Sequence, residues 1–376
     1  LESLKGRGLS VLLLNNAPSE VVNGYADEYL CVDYSNKDAV LEAAVKFSPR
    51  YLISGCNDAA YLSCAYVTEQ LGIPGYDPYE VALTLHHKDR FRNFMRDSGF
   101  SALKYLNLTE LSQLSNFDSV RFTFPLIVKP VDRSGGKGIS IVETRAEVEA
   151  AVSHAFECSF SGNVVIEEFV NGELKSFSAF WVDGQILFSF FDHEFSKYNP
   201  YQVSSSLAPL VVDDYIRARI IDDVAAIAAK MRLIDGLIHT QLLLHVDKYH
   251  IVEITRRTPG DLYASPVQCL TGIDYTSLTL DGYTGGPLQV DNWRQREGAT
   301  IRHCPAVNSD GVIREYLIDP EIQQYIIKQI KYLDVGDRVE NYKFQRMGVF
   351  ILFLPDRDKA EDILQRIDEL IFIKVL

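Results

Sequence analysis

The order in which two hydrophobic periods alternate constrains this chain most. Over residues 10–99 short apolar runs alternate with helical patterns: "SVLLLNN" (10–16), "DAVLEAAVKF" (38–47), "YLISGCND" (51–58), then a helix from 59 to 72. Asn57 or Asp58 suits the N-cap of that helix and Gly72 its end, and residues 79–99 read as one long helix or two stopped at Gly99. Strand–helix alternation predicts an α/β domain with a doubly wound parallel sheet. Beyond residue 124 the period becomes that of strands. "FPLIVKPV" (124–131), "NVVIEEFV" (163–170) and 175–191 read as strands, with Asp183-Gly184 a hairpin turn. Residues 213–233 read as an amphipathic helix, and 239–261, "HTQLLLHVDKYHIVEITRRTPGD", as a second hairpin. The last residues alternate again and end in a helix and the strand "FIKVL".

Composition excludes several function classes. The chain is 47% hydrophobic and 23% charged, as soluble globular proteins are, and its net charge is -14. Nucleic-acid binding wants a basic face, so no nucleic-acid partner is expected. No apolar run reaches membrane-spanning length, so no membrane partner is expected. The six cysteines are scattered without a C-x-x-C pair, which points away from zinc or disulfides and toward a reducing, cytoplasmic setting. No leader pattern is visible.

Three stretches carry chemistry. Lys129 ends a buried strand and runs into "SGGKG" (134–138), where glycine lets backbone N–H groups approach phosphate oxygens. The loop leads into a strand, so it is neither a Walker A nor a dinucleotide turn. In "VIEEFVNGE" (165–173) backbone groups at a strand end can meet a purine edge while an acid takes ribose hydroxyls. In the second hairpin alternation places Glu253, Thr255 and Arg257 on one face, and Ile254 and Arg256 on the other. A carboxylate there suits Mg²⁺, which takes one or two carboxylates plus phosphate oxygens, and Arg257 suits a transferring phosphoryl group.

In order and spacing these stretches resemble the ATP-grasp superfamily, of the carboxylate–amine ligase type. "FPLIVKPVDRSGGKGIS" looks like that family's ATP-lysine strand and glycine-rich lid, and "VIEEFVNGE" like its adenine hinge. The second hairpin looks like its metal hairpin, G-x-x-H-x-E … E-x-N-x-R-x-G-G, and "LHHKDRFRNFMRDSGF" like the helix of its first ATP lysine. The C-terminal region is similar to the branch with L-amino-acid ligases and biotin-carboxylase-like enzymes. The resemblance implies an ATP-grasp fold in three parts: an N-terminal α/β domain (1–85), a small central lid domain (86–170), and a larger C-terminal domain (171–376). "SVLLLNN" resembles the second strand of the N-terminal domain, so a first strand is expected to be missing.

The resemblance also implies roles. Lys88 and Lys129 hold ATP phosphates, and Ser134, Gly135, Gly136, Lys137 and Gly138 close as a lid. Glu167, Glu168, Phe169 and Val170 bind adenine, mainly through backbone, with Glu168 or Glu173 on the ribose. Glu253 binds Mg²⁺ (Mn²⁺ as a substitute), and Arg257, with Glu253 and Lys129, serves the chemistry. Three positions depart from the family: Gln241 stands where it has an acid, Thr255 where it has Asn, and Asp261 where it has a second Gly. An amide oxygen still ligates Mg²⁺ with less Coulomb attraction, so one firm metal on Glu253 and a weaker second through Gln241 and Thr255 are expected. His239, Arg256, Gly260, Asp261, Arg302 and His303 are candidates for the substrates, a small carboxylic or amino acid and an amine. A homodimer is compatible with these expectations. The same residues would also serve a non-catalytic ATP-binding protein or an enzyme using bicarbonate.

Overall fold

A computed structural model describes residues 1–17, 24–117, 121–133, 135–246, 248–290 and 293–376. The N-terminal part contains α1 (Glu2–Gly6), β1 (Leu12–Asn15), β2 (Glu28–Cys31), α2 (Lys37–Phe47), α3 (Asp58–Leu71), α4 (Tyr79–His86) and α5 (Lys88–Asp97). β1 and β2 pair in parallel, Leu12 opposite Glu28. Residues 51–54, expected as a strand, run without a ladder of their own. Side-chain caps start two of the helices: Asn36 accepts from the N–H groups of Asp38 and Ala39, and Asn57, one of the two expected caps, from those of Ala59 and Ala60. Gly72 ends α3 in the left-handed conformation. The helical pattern over 79–99 resolves into two helices broken at His87, whose backbone is extended. That break matters for the site. It lets the Lys88 N–H dock on the carbonyl of Val131 at 3.2 Å.

The central part contains β3 (Tyr105–Leu108), β4 (Leu126–Pro130), β5 (Ser140–Val142), α6 (Val148–Cys158) and β6 (Val164–Glu168). Its strands form an antiparallel sheet in the order β3-β6-β4-β5. Leu126, Val128, Val164 and Ile166 pack against Val148, Val152 and Ala155 of α6.

The C-terminal part holds β7 (Glu173–Val182), β8 (Gln185–Ser196), β9 (Val203–Ala208), α7 (Asp214–Met231), β10 (Gly236–His245), β11 (Lys248–Thr255), α8 (Ala264–Thr271), α9 (Tyr275–Thr284) and β12 (Ala299–His303). It continues with β13 (Gly311–Ile318), α10 (Pro320–Gln323), β14 (Ile326–Lys331), β15 (Arg338–Val339), β16 (Gly348–Leu354), α11 (Arg357–Gln365), α12 (Ile367–Leu370) and β17 (Ile371–Val375). Eight strands form one sheet, β11-β10-β7-β8-β9-β12-β16-β14, and β15-β13-β17 form a smaller one. Asp183 and Gly184 turn β7 into β8 with positive φ at both, as a tight primed hairpin requires. Strand period two then sorts the side chains. Phe177, Ala179, Phe191, Ile238, Leu242 and Ile254 face one way and pack against Ile220, Val224 and Ile227 of α7. On the opposite face Phe180, Phe188, Phe190 and Leu237 pack against α8 and α9, while Ser176, Ser178, Asp192, His239, Gln241, Glu253 and Thr255 form a polar zone that builds the site.

Candidate active site

One polar row crosses the sheet. Glu253 of β11 lies opposite Gln241 of β10, Gln241 opposite Ser176 of β7, and Ser176 opposite Asp192 of β8. Two residues along β8, Glu194 lies opposite Ser206 of β9, which faces Arg302 of β12. The side chains join along the row. Gln241 Nε2 donates to Glu194 at 2.7 Å, Ser176 Oγ to Asp192, and Arg302 to Ser206 at 3.3 Å and Glu194 at 3.5 Å. Burial pushes the carboxyl of Glu194 up, and Asp192 beside it pushes further, against the pull of Arg302. His239, one register step from Gln241, lies opposite Thr255, and its Nδ1 stands 2.7 Å from Ser178 Oγ. Burial first, then Arg257 and Arg302, hold that imidazole well below its ordinary pKa, so it is neutral.

The register of β10 and β11 shifts between Gln241 and Leu242, leaving Val252 as an extra residue. Arg92 of α5 uses the irregularity. Its guanidinium donates to the carbonyls of Ile251 (3.4 Å) and Val252 (2.9 Å) and to Glu167 Oε1 at 2.6 Å. The other oxygen of Glu167 accepts from Lys129 Nζ at 2.7 Å. One buried triad thereby ties α5, the central sheet and the edge of the large sheet, and holds the Lys129 ammonium in place. Burial alone would raise the Glu167 carboxyl; Arg92 and Lys129 outweigh it and bring the group down to about 2.

Beside the edge of β11 lies a cavity lined by Lys88, Glu253, Thr255, Asp58, His86 and Arg133, among others. Lys88 Nζ donates to the Arg133 carbonyl at 2.8 Å, and burial lowers its pKa. Thr255 is 4% exposed, and its Oγ1 is buried without a hydrogen-bond partner among the described residues. An unpartnered hydroxyl next to a carboxylate and an ammonium fits a site that expects a metal and an anion. Arg257 leaves the strand end and grips Asp58 with Nε and Nη2, both at 2.9 Å. Among the described residues no group of three or more His, Cys, Asp or Glu side chains converges on a metal position, so phosphate oxygens would have to complete a metal's shell.

The expected lid and hinge have internal partners. Gly135, Gly136 and Gly138 all have positive φ. A Cβ on Gly136 would collide with Tyr201, and one on Gly138 with Pro130 and Cys158, so the loop sits tightly against residues 199–201. Lys137 Nζ lies 5.8 Å from the Phe344 ring centre. Ser134 lies outside the described residues. In the hinge, the N–H groups of Glu168 and Phe169 already bond the carbonyls of Lys104 (3.2 Å) and Pro125 (3.0 Å). Glu168 pairs with Lys104 at 3.1 Å, and Glu173 with Lys175 at 2.7 Å.

Three expectations are corrected. Arg256 is not available to a substrate: it is 4% exposed, donates to Asp77 at 2.8 Å, and caps the carbonyls of Leu237 and Ile234. His303 follows Arg302 on β12 and therefore points to the opposite face, where Nδ1 meets Ser205 at 2.8 Å and Nε2 lies 3.9 Å from Asp368 of α12. Glu167 does not offer its carboxylate to adenine, since both oxygens are committed to the triad. Arg302 and His239 remain on the polar face. Asp261, with positive φ, pairs with Arg346 at 2.7 Å and approaches Arg302 at 3.9 Å, and Gly260 precedes it in the same turn. Asp58, His86, Arg92, Asp192 and Glu194 escaped the sequence reading. Only the last two left a trace there, as acids at alternate positions in the strand "FFDHEF".

Residues 86–261 match the family model described as phosphoribosylglycinamide synthetase, ATP-grasp (A) domain. They form an ATP-grasp domain. The matched stretch runs from just before Lys88 to the turn that follows the β10–β11 hairpin. A D-alanine–D-alanine ligase of Desulfotalea psychrophila is 28% identical over 169 residues, which are 41% of this chain and 51% of that one. A phosphoribosylamine–glycine ligase of Methanococcus vannielii is 24% identical over 333 residues, 82% of this chain and 74% of that one. The chain thus spans about half the length of the first of these relatives. The crystal structure of L-amino acid ligase from Bacillus licheniformis covers 100% of this chain and 95% of its own, with TM-score 0.83 at 18% identity. The fold of that structure therefore extends over the whole of this chain.

Proposed function

We propose that the protein is an ATP-dependent, ADP-forming ligase that joins a small carboxylic acid, such as an amino acid, to an amine through an acyl phosphate. The observation that carries this reading is the cavity where Lys88, Glu253 and the unpartnered Thr255 hydroxyl converge, with Arg257 tethered at its edge. Nucleotide would lie between the 86–170 part, which brings Lys129 and the lid, and the 171–376 part, which brings Glu253. Mg²⁺ held firmly by Glu253, with a weaker second ion through the Gln241 amide oxygen and the Thr255 hydroxyl, would neutralise charge on the transferring phosphoryl group.

The chain's own residues do the rest. Lys88 and Lys129 orient the phosphates. A carboxylate oxygen of the substrate attacks the γ-phosphorus, and ADP leaves. The amine nitrogen then attacks the acyl carbon, and phosphate departs with the carboxylate oxygen. Arg257 spends Nε and Nη2 on Asp58, which leaves Nη1 to meet the developing anion. The glycine loop, seated on Tyr201, keeps water from the acyl phosphate. Arg302, His239, Gly260 and Asp261 supply the acceptor side. Six free thiols fit a cytoplasmic setting.

ADP release against a panel of amino acids, small carboxylates and bicarbonate tests the reading. Amino-acid- or carboxylate-dependent ADP is expected. Turnover that needs bicarbonate, or tight ATP binding with no turnover, would overturn it.

A further inference from the structure

Ligation needs an uncharged amine, whereas an aliphatic amine arrives at neutral pH as ammonium, so a proton acceptor has to stand near the acyl phosphate. Arginine and Mg²⁺ cannot accept that proton, and Lys88 is engaged with the Arg133 carbonyl and assigned to the phosphates. Glu194 is locked in the buried row by Gln241 and Arg302, and His239 does not line the cavity.

His86 does line it. Its side chain is 1% exposed, its ring stacks on Tyr61 at 4.8 Å and 18°, and its Nδ1 lies 3.0 Å from Asp58 Oδ1. Asp58 also receives two N–H bonds from Arg257. Burial would raise the Asp58 carboxyl, but Arg257 and His86 outweigh it and keep the group ionised. A carboxylate only accepts hydrogen bonds, so the ring donates to Asp58 through Nδ1–H, which leaves Nε2 as the ring nitrogen that Asp58 does not engage. That Nε2 is buried without a partner among the described residues, as is the Thr255 hydroxyl on the same cavity. With the Thr255 hydroxyl taken by the metal, the unsatisfied ring nitrogen on this cavity calls for a ligand that can donate to an imidazole, as an ammonium group does.

We propose that His86, oriented by Asp58 and Tyr61, takes the proton from the amine substrate. The inference rests on the ligase reading above. An N–H bond of the ammonium breaks and the proton moves to Nε2. The freed nitrogen lone pair forms the bond to the acyl carbon, the bond from that carbon to the phosphate oxygen breaks, and the second N–H proton leaves with the departing phosphate. Arg257, which shares Asp58 with His86, would link anion binding at the acyl phosphate to the placement of the base.

The test compares two nucleophiles. Native protein and H86N receive ATP, Mg²⁺ and the standard amino acids as carboxylates, with either the amino acids or hydroxylamine as nucleophile. Hydroxylamine is uncharged at neutral pH and needs no base. Asn at position 86 can still donate to Asp58 but has no Nε2. Coupling between amino acids should fall about 100-fold or more in H86N, the usual weight of general-base catalysis, while hydroxamate formation is largely kept. H86F, which preserves the stack on Tyr61, should behave alike and covers the case that H86N folds poorly. Equal losses with both nucleophiles, or no loss with amino acids, would overturn the role of His86. Absence of hydroxamate with the native protein would overturn the ligase reading and this inference with it.

Discussion

Replacing Glu167 by Gln tests how the lysine of the central sheet is held. Glu167 is fully buried and bonds Arg92 at 2.6 Å and Lys129 at 2.7 Å. E167Q keeps the shape but leaves two buried cations without their counter-charge. Deleting one partner of a buried ion pair costs about 3–5 kcal/mol. The titration of the native residue gives a similar size. Its carboxyl falls from an ordinary 4.5 to about 2 in the fold, a gap worth about 3 kcal/mol at 1.36 kcal/mol per unit. The sign follows from the depression. This stabilisation is fully present above the unfolded pKa and is lost as pH falls from about 4.5 through about 2. In urea denaturation followed by circular dichroism, E167Q should lose about 3 kcal/mol at neutral pH and lose less than the native protein between those two pH values. ATP should also bind about tenfold more weakly, since a hydrogen bond to a charged group is worth roughly 1.5–3 kcal/mol and Lys129 would no longer be held toward the phosphates. An unchanged urea midpoint would refute the energetic argument. A large stability loss with unchanged ATP affinity would refute the claim that the triad positions Lys129 for nucleotide.

Further outcomes follow from the same geometry. Mn²⁺ titration in the presence of ATP should show one firm site and one weak one; Q241E should strengthen the weak site, yet without metal destabilise the protein by setting a carboxylate against Glu194, whereas two equally tight sites in the native protein would contradict the assignment. G136A places a methyl group against Tyr201 at a left-handed φ of 78°, so ATP hydrolysis without ligation should rise relative to product, measured as the ratio of ADP to coupled product; an unchanged ratio would count against the lid. D77N strands the buried Arg256 and should cost about 3 kcal/mol or more in denaturation while leaving the KM for ATP unaltered; a raised KM would return Arg256 to the site.

The parts of the site that lie within one hairpin or one loop were legible. Alternation along β11 puts Glu253 and Thr255 on one face and sends Ile254 to the α7 side, but Gln241 meets Glu253 only through the bulge at Val252, since the turn's own register would set it opposite Val252. The caps at Asn36 and Asn57 and the break near His87 follow from local chemistry. Alternation was also enough to exclude one of the neighbours Arg302 and His303, since adjacent strand residues cannot share a face. Partners that come from distant parts of the chain were not legible. Arg92 reaches Glu167 across 75 positions and Arg257 reaches Asp58 across 199, and no local pattern encodes either meeting. Asp58 read as a helix start because it is one; the carboxylate of that same residue crosses to Arg257, at the end of the β10–β11 hairpin. Arg256 misled for a similar reason. A charged residue at a strand end looks exposed until Asp77, from a loop far upstream, proves to cover it.

The central claim is that a substrate carboxylate is phosphorylated at this site. Phosphorus NMR with ¹⁸O-carboxylate-labelled amino acids, ATP and Mg²⁺ tests it most directly. The account predicts ADP and inorganic phosphate carrying one ¹⁸O taken from the substrate. Unlabelled phosphate under turnover, or AMP and pyrophosphate as products, would contradict it.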